Sequence, residues 1–181
     1  MSKDKLWRIA PYAGLPIIGF ALFFLQTGRT EAFYLLQQEL LIIFGYLAAI
    51  SDLKAKKISN TLILGMLAAW VITFAPQLFF HTERALAHLT EAALGFAVGG
   101  GVFLFLYLVS RGGLGGGDVK FIAAAGLYVG LNNIFPVMLY GTVLAGLTAL
   151  TLLLLKRIKR KDSLPLAPFL YIGILILLFF A

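Results

Sequence analysis

The sequence predicts an all-α fold: a polytopic integral membrane bundle of about seven transmembrane helices with its N-terminus in the cytoplasm. Three observations predict it. Of the 181 residues, 61% are hydrophobic and 13% charged, where a soluble domain carries about a quarter charged residues. The apolar residues run in blocks of about 16–21, close to the length that crosses a bilayer. The basic residues gather between alternate blocks, as they do when successive loops alternate sides of a membrane.

The first block, Ile9–Gln26, follows Lys3, Lys5 and Arg8. No small-residue cleavage site follows it, so it reads as a retained anchor rather than a removed leader. The second, Tyr34–Ser51, begins among Gln37, Gln38 and Glu39, which are expected at the outer interface, and ends before Lys54, Lys56 and Lys57. The third, Thr61–Phe80, leads into a short loop holding both histidines, His81 and His88. The fourth, Glu91–Ser110, runs into Arg111 and a cluster of glycines. The fifth, Asp118–Phe135, carries Lys120 in its first turn. The sixth, Pro136–Leu155, precedes Lys156, Arg157, Lys159, Arg160 and Lys161, and the seventh is Leu164–Ala181.

On this count only Arg29 and Arg84 fall on the outer side. The positive-inside rule then fixes the orientation, with the C-terminus outside and the cell (inner or plasma) membrane as the location. The net charge of +7 therefore reports topology and contact with membrane lipid, and no nucleic acid partner is expected. No polar stretch is long enough to bury a core of its own. The chain reads as one transmembrane domain, 1–181, with an anchor helix in 1–33 and the functional core in 34–181.

Cysteine is absent. That excludes disulfides, thiolate metal sites and cysteine nucleophiles. His81 and His88 read as ordinary interfacial side chains, since a metal site would need a third ligand such as Glu83 or Glu91. No metal and no cofactor is expected.

The acidic residues narrow the chemistry. Asp4 and Asp162 lie in basic segments, and Glu31, Glu39, Glu83 and Glu91 lie near the outer interface. Asp52 and Asp118 remain, each where a span meets the cytoplasm. Asp52 opens SDLKAKKISN and could cap or pair locally with Lys56. Asp118 closes RGGLGGGDVK and could be a simple helix N-cap. Five glycines exceed what a turn requires, and Gly117 leaves the approach to the carboxylate without a side chain. A phosphate loop would need a Lys-Ser/Thr after the glycines, where this chain has an anion. A dinucleotide fingerprint would need a preceding strand.

Taken together, the two aspartates lie on one face of the membrane. Two carboxylates that meet share a proton, because both cannot ionise cheaply. One can then activate water while the other donates a proton, which is aspartyl proteolysis.

These residues resemble those of type IV prepilin peptidases. Gly115-Gly116-Gly117-Asp118 fits the GxGD motif, and VKFIAAAGLYVG continues it in that family's manner. Asp52 at a span's end, the basic run after it, Ile58-Ser59-Asn60 and the tail Pro165-Leu166-Ala167-Pro168-Phe169 are similar too. The resemblance covers about Leu40 to Ala181. It implies a membrane aspartic endopeptidase that removes the short basic leader of pilin or pseudopilin precursors at the cytoplasmic face, after a glycine. It implies Asp52 and Asp118 as the catalytic pair, with Gly115 and Gly117 permitting the loop geometry.

Ser59 stands where members often have proline. The cysteine-bearing cytoplasmic insertion of larger, N-methylating members is not found, so methyltransferase activity is not expected. Presenilin-like proteases share GxGD but place the first aspartate after a tyrosine inside a span, which Asp52 does not match.

Asp118, at a helix N-terminus where the dipole favours an anion, is expected to be the base, with Asp52 as the acid. Lys54, Lys56, Lys57 and Lys120 surround the pair and either support it electrostatically or anchor topology. Gly95, Gly99, Gly100, Gly101, Gly126 and Gly130 either ease the approach of a substrate helix or pack the protein's own helices. The other reading of the chain is a proton-coupled small transporter or a structural component of a secretion or pilus system.

Overall fold

The structure, a computed structural model, describes residues 32–80, 82–110, 113–159 and 164–180. The expected span Ile9–Gln26 and its flanking Lys3, Lys5, Arg8 and Arg29 lie outside them. So do His81, Arg111, Arg160 and Lys161. The described residues form helices α1 (Ala32–Ala55), α2 (Asn60–Phe80), α3 (Thr82–Val109), α4 (Gly116–Leu154) and α5 (Ala167–Phe180). There is no strand among them. The fold is an all-helical membrane bundle: the first four helices are long and apolar enough to cross a membrane, and α5 is a shorter apolar helix. Large apolar side chains such as Leu64, Ile72, Phe105 and Leu139 face outward. Lipid, as apolar as these side chains, is their natural solvent.

α4 is not one rod. Its 39 residues would run about 58 Å if straight, nearly twice a ~30 Å hydrocarbon core. Gly130 breaks it, at φ 75° and ψ 177°, a conformation that side-chain-bearing residues avoid. The chain folds back there. A Cβ on Gly99 of α3 would meet both the Ile122 carbonyl oxygen at 3.1 Å and Ile134 Cγ1 at 3.0 Å, residues about 18 Å apart on a straight helix. The two halves correspond in sequence to the segments expected as the fifth and sixth spans. The reversal falls at Gly130 rather than at the Phe135–Pro136 junction, because glycine alone supplies the positive φ.

The helices then pack antiparallel in a chain of contacts. α3 meets the first half of α4 backbone to backbone, with Gly95 against Gly126 and Gly100 against Ala123. The second half of α4 meets α5 through Gly141 against Leu170 and Gly173 against the Val137 carbonyl. α5 meets α1, where Gly45 receives the Tyr171 ring. Phe121, Phe103, Leu41, Met66 and Ile174 fill the shared core. Of the glycines singled out in the sequence, Gly95, Gly99, Gly100 and Gly126 are thus occupied by the protein's own helices, while Gly101 faces nothing within 4 Å.

One expectation is corrected. The loop expected to hold His88 is helical from Thr82: TERALAHLT contains no glycine or proline, and buried Ala85 and Ala92 tie the extended helix to the bundle. His88 accordingly sits in an aromatic cluster, 4.7 Å from Tyr34 and 5.8 Å from Phe74 between ring centroids. Gln37 is buried within the bundle, and its Nε2 donates to Thr73 Oγ1 at 3.4 Å.

Candidate active site

The antiparallel packing delivers four helix ends to one place: the C-terminal end of α1, and the N-terminal ends of α2, α4 and α5. Asp52 lies on the last turn of α1, which runs past Ser51 to Ala55. Asp118 lies in the first turn of α4. Both carboxylates are buried, Asp52 at 5% and Asp118 at 8% exposure, and the negative charge of Asp52 acts directly on Asp118. Two residues far apart in the chain are thus near enough for the charge of one to be felt by the other.

The turn between α1 and α2 is closed by its own polar groups. Ser51 Oγ donates to the Lys57 carbonyl at 2.8 Å, and Lys56 takes a left-handed conformation with φ 48°. This turn buries Ile58 against the glycine loop. A Cβ on Gly117 would lie 3.2 Å from Ile58 Cβ, so Gly117 serves the seating of α2 on α4 rather than an open approach to the carboxylate. Gly115 has a different role. A Cβ there would sit 3.0 Å from Asp118 Oδ2, and the Gly115 amide donates to that carboxylate. The side chain of Asp118 folds back over its own helix start, which a Cβ at Gly115 would obstruct. Asp118 Oδ1 is buried and has no hydrogen-bond partner.

Asp52 is held otherwise. Its Oδ2 accepts the Ala167 amide at 3.0 Å, and the Leu166 amide donates as well. Both belong to the start of α5. The local pairing with Lys56 expected from sequence is electrostatic: the Lys56 cation acts on Asp52, while the hydrogen bonds to the carboxylate come from across the bundle. Lys54, Lys56 and Lys57 are exposed. Lys120 turns to α2, where its Nζ donates to Asn60 Oδ1 at 3.0 Å.

The α5 amides were not singled out as site groups in the sequence. The available sign was the unusual helix start PLAP: Leu166 stands at the cap position without a side-chain acceptor, so the first amides of α5 need one from elsewhere. Among the described residues no group of three or more His, Asp or Glu could hold a metal ion.

A helical membrane protein with two interacting carboxylates buried at one end is thus defined by fold and geometry. Residues 39–150, which include both aspartates, match the model of the type IV leader peptidase family. The match spans more than half of the chain, and the chain belongs to that family. It is 28% identical over 136 residues to a prepilin leader peptidase/N-methyltransferase of Xanthomonas campestris pv. campestris, covering 74% of this chain and 46% of that protein. It is 26% identical over 125 residues to a protein of the same name from Bacillus subtilis, covering 67% of this chain and 46% of that protein. The chain therefore spans about half the length of the curated relatives it matches. No solved structure matches.

Proposed function

We propose that this protein is a membrane-embedded aspartic endopeptidase that removes the short basic leader of type IV pilin-like precursors at the cytoplasmic face, after a glycine. The observation that carries the reading is the convergence of Asp52 and Asp118, from separate helices, into one buried and interacting pair. Family membership supports the substrate class. The site end also carries Lys54, Lys56, Lys57, Lys120, Lys156, Arg157 and Lys159, whereas Arg84 alone among the described cations begins α3 at the opposite end. That asymmetry supports a cytoplasmic site. A single transmembrane domain, 1–181, with an anchor helix in 1–33 and the peptidase core in 34–181, is part of the proposal.

Hydrolysis on this reading needs one ionised and one protonated carboxyl. The ionised member takes a proton from water as its oxygen attacks the scissile carbonyl, and the other gives its proton to the carbonyl oxygen. The C–N bond then breaks as the amine takes the proton gained by the base, and a diol hydroxyl returns a proton to the acid. The methyl transfer named for the longer relatives is not extended to this chain.

The test is incubation of the purified protein, in detergent or liposomes, with a pilin precursor carrying a basic leader before Gly and an apolar helix. A product shortened at that glycine, absent with Asp52→Asn or Asp118→Asn, is expected. A precursor left at full length by correctly folded protein excludes the peptidase in favour of a transporter or a structural component.

A further inference from the structure

The start of α5 is capped by a residue of another helix. In its first turn, Pro168 has no amide to give, and the Phe169 and Leu170 amides both go to the Leu166 carbonyl, at 3.0 and 3.1 Å. Leu166 offers no side-chain acceptor, so the Leu166 and Ala167 amides turn outward and meet the Asp52 carboxylate 115 positions away. Ala167 is fully buried, which keeps water from competing for that bond. A carboxylate at a helix N-terminus, with two amide donors, is held in one orientation, and the amides favour its anion against the burial that disfavours it.

Asp118 is treated differently. It has the Gly115 amide and one buried oxygen with no partner. A bare buried oxygen is far less costly on a neutral carboxyl than on an anion.

We propose that the Leu166 and Ala167 amides are positioning groups for the reaction: they fix Asp52 as the anion of the pair, making it the base, and so leave the shared proton on Asp118 as the acid. This reverses the roles expected from Asp118's own helix terminus, and it rests on the peptidase reading above. The reason is that Asp118 receives one amide where Asp52 receives two. The charged groups facing Asp52 are Asp118 from α4 and Lys56 from its own turn. Lys120 engages Asn60, and the first turns of α2 and α5 carry no ionisable side chain.

Ala167→Pro tests this, because it deletes one amide at a position where proline is favoured in helices. Ala167→Gly, which keeps the amide, is the control, and Leu166→Pro removes the other amide should Ala167→Pro not be recovered folded. Two profiles are measured on each. One is the pH dependence of precursor cleavage. The other is the pH dependence of carbodiimide labelling at Asp52, which modifies protonated carboxyls and is mapped by mass spectrometry. In the proline variants the acid limb of kcat/KM and the labelling midpoint both move to higher pH by about one unit, a tenfold change in proton affinity. KM is unchanged, and the labelling midpoint of Ala167→Gly, which keeps the amide, stays at the parental pH. An unmoved labelling midpoint in a folded proline variant, or an equal shift in Ala167→Gly, overturns the proposal. If the parent protein cleaves no precursor, the peptidase reading fails, while the labelling profile still decides whether α5 holds Asp52.

Discussion

Replacing either carboxylate by its neutral isostere tests the pair with the least change of shape. Asp52→Asn and Asp118→Asn should each lower cleavage by about a thousandfold, within the range that a lost acid or base costs. The melting temperature in detergent reports whether the bundle survives, and a variant that keeps more than a tenth of parental activity would remove that residue from the mechanism. The glycines of the loop separate along the same lines. A methyl at Gly115 would press on Asp118 Oδ2 from 3.0 Å, whereas at Gly116 the nearest atom is a Tyr107 carbon at 4.0 Å. Gly115→Ala should therefore lower kcat by about a hundredfold through a displaced carboxylate, and Gly116→Ala should leave it unchanged; single-turnover rates with saturating precursor check both. The sequence singled out Asp52 and Asp118 by their neighbours. What holds each of them was not, since the partners of Asp52 are backbone amides, which have no residue type to recognise.

At the scale of helices, small residues decide how closely backbones approach. Gly95 of α3 and Gly126 of α4 abut so tightly that a Cβ on either would enter the other's peptide backbone. Gly95→Ala or Gly126→Ala should destabilise the bundle by about 1–3 kcal/mol. Gly101→Ala, with nothing within 4 Å, should be neutral or stabilise by up to ~1 kcal/mol through helix propensity. Thermal unfolding in one detergent compares the three. Gly130→Ala should cost about 1–3 kcal/mol for another reason, the strain of a positive φ at the reversal of α4. The sequence marked all these glycines as candidates for close approach. It could not say which helix approaches, because a glycine looks the same whether its partner is a substrate or a neighbouring span. The boundary between the fifth and sixth blocks was likewise set at Phe135–Pro136, whereas the bend of α4 lies at Gly130, whose conformation requires glycine.

For the whole molecule, orientation is the open physical consequence of the charge asymmetry. The chain has no cysteine, so single cysteines introduced at exposed ends report sidedness directly. Ser59→Cys, beside the site, should react with an impermeant maleimide only after the membrane is opened. Thr82→Cys, at the far end, should react in intact cells. The reverse pattern would put the site outside and end the cytoplasmic reading. Amino-acid content and order alone determined that the chain lives in a membrane, because apolar blocks of bilayer length have no stable alternative in water. They also led to the expectation that Asp52 and Asp118 share one end of the bundle, because the basic residues gather between alternate apolar blocks. Tertiary structure alone decided that the two carboxylates interact, that Gly117 seats Ile58, and that the start of α5 closes on Asp52. Those facts depend on the crossing and depth of helices far apart in sequence, which are set by backbone-to-backbone contacts that no local pattern encodes.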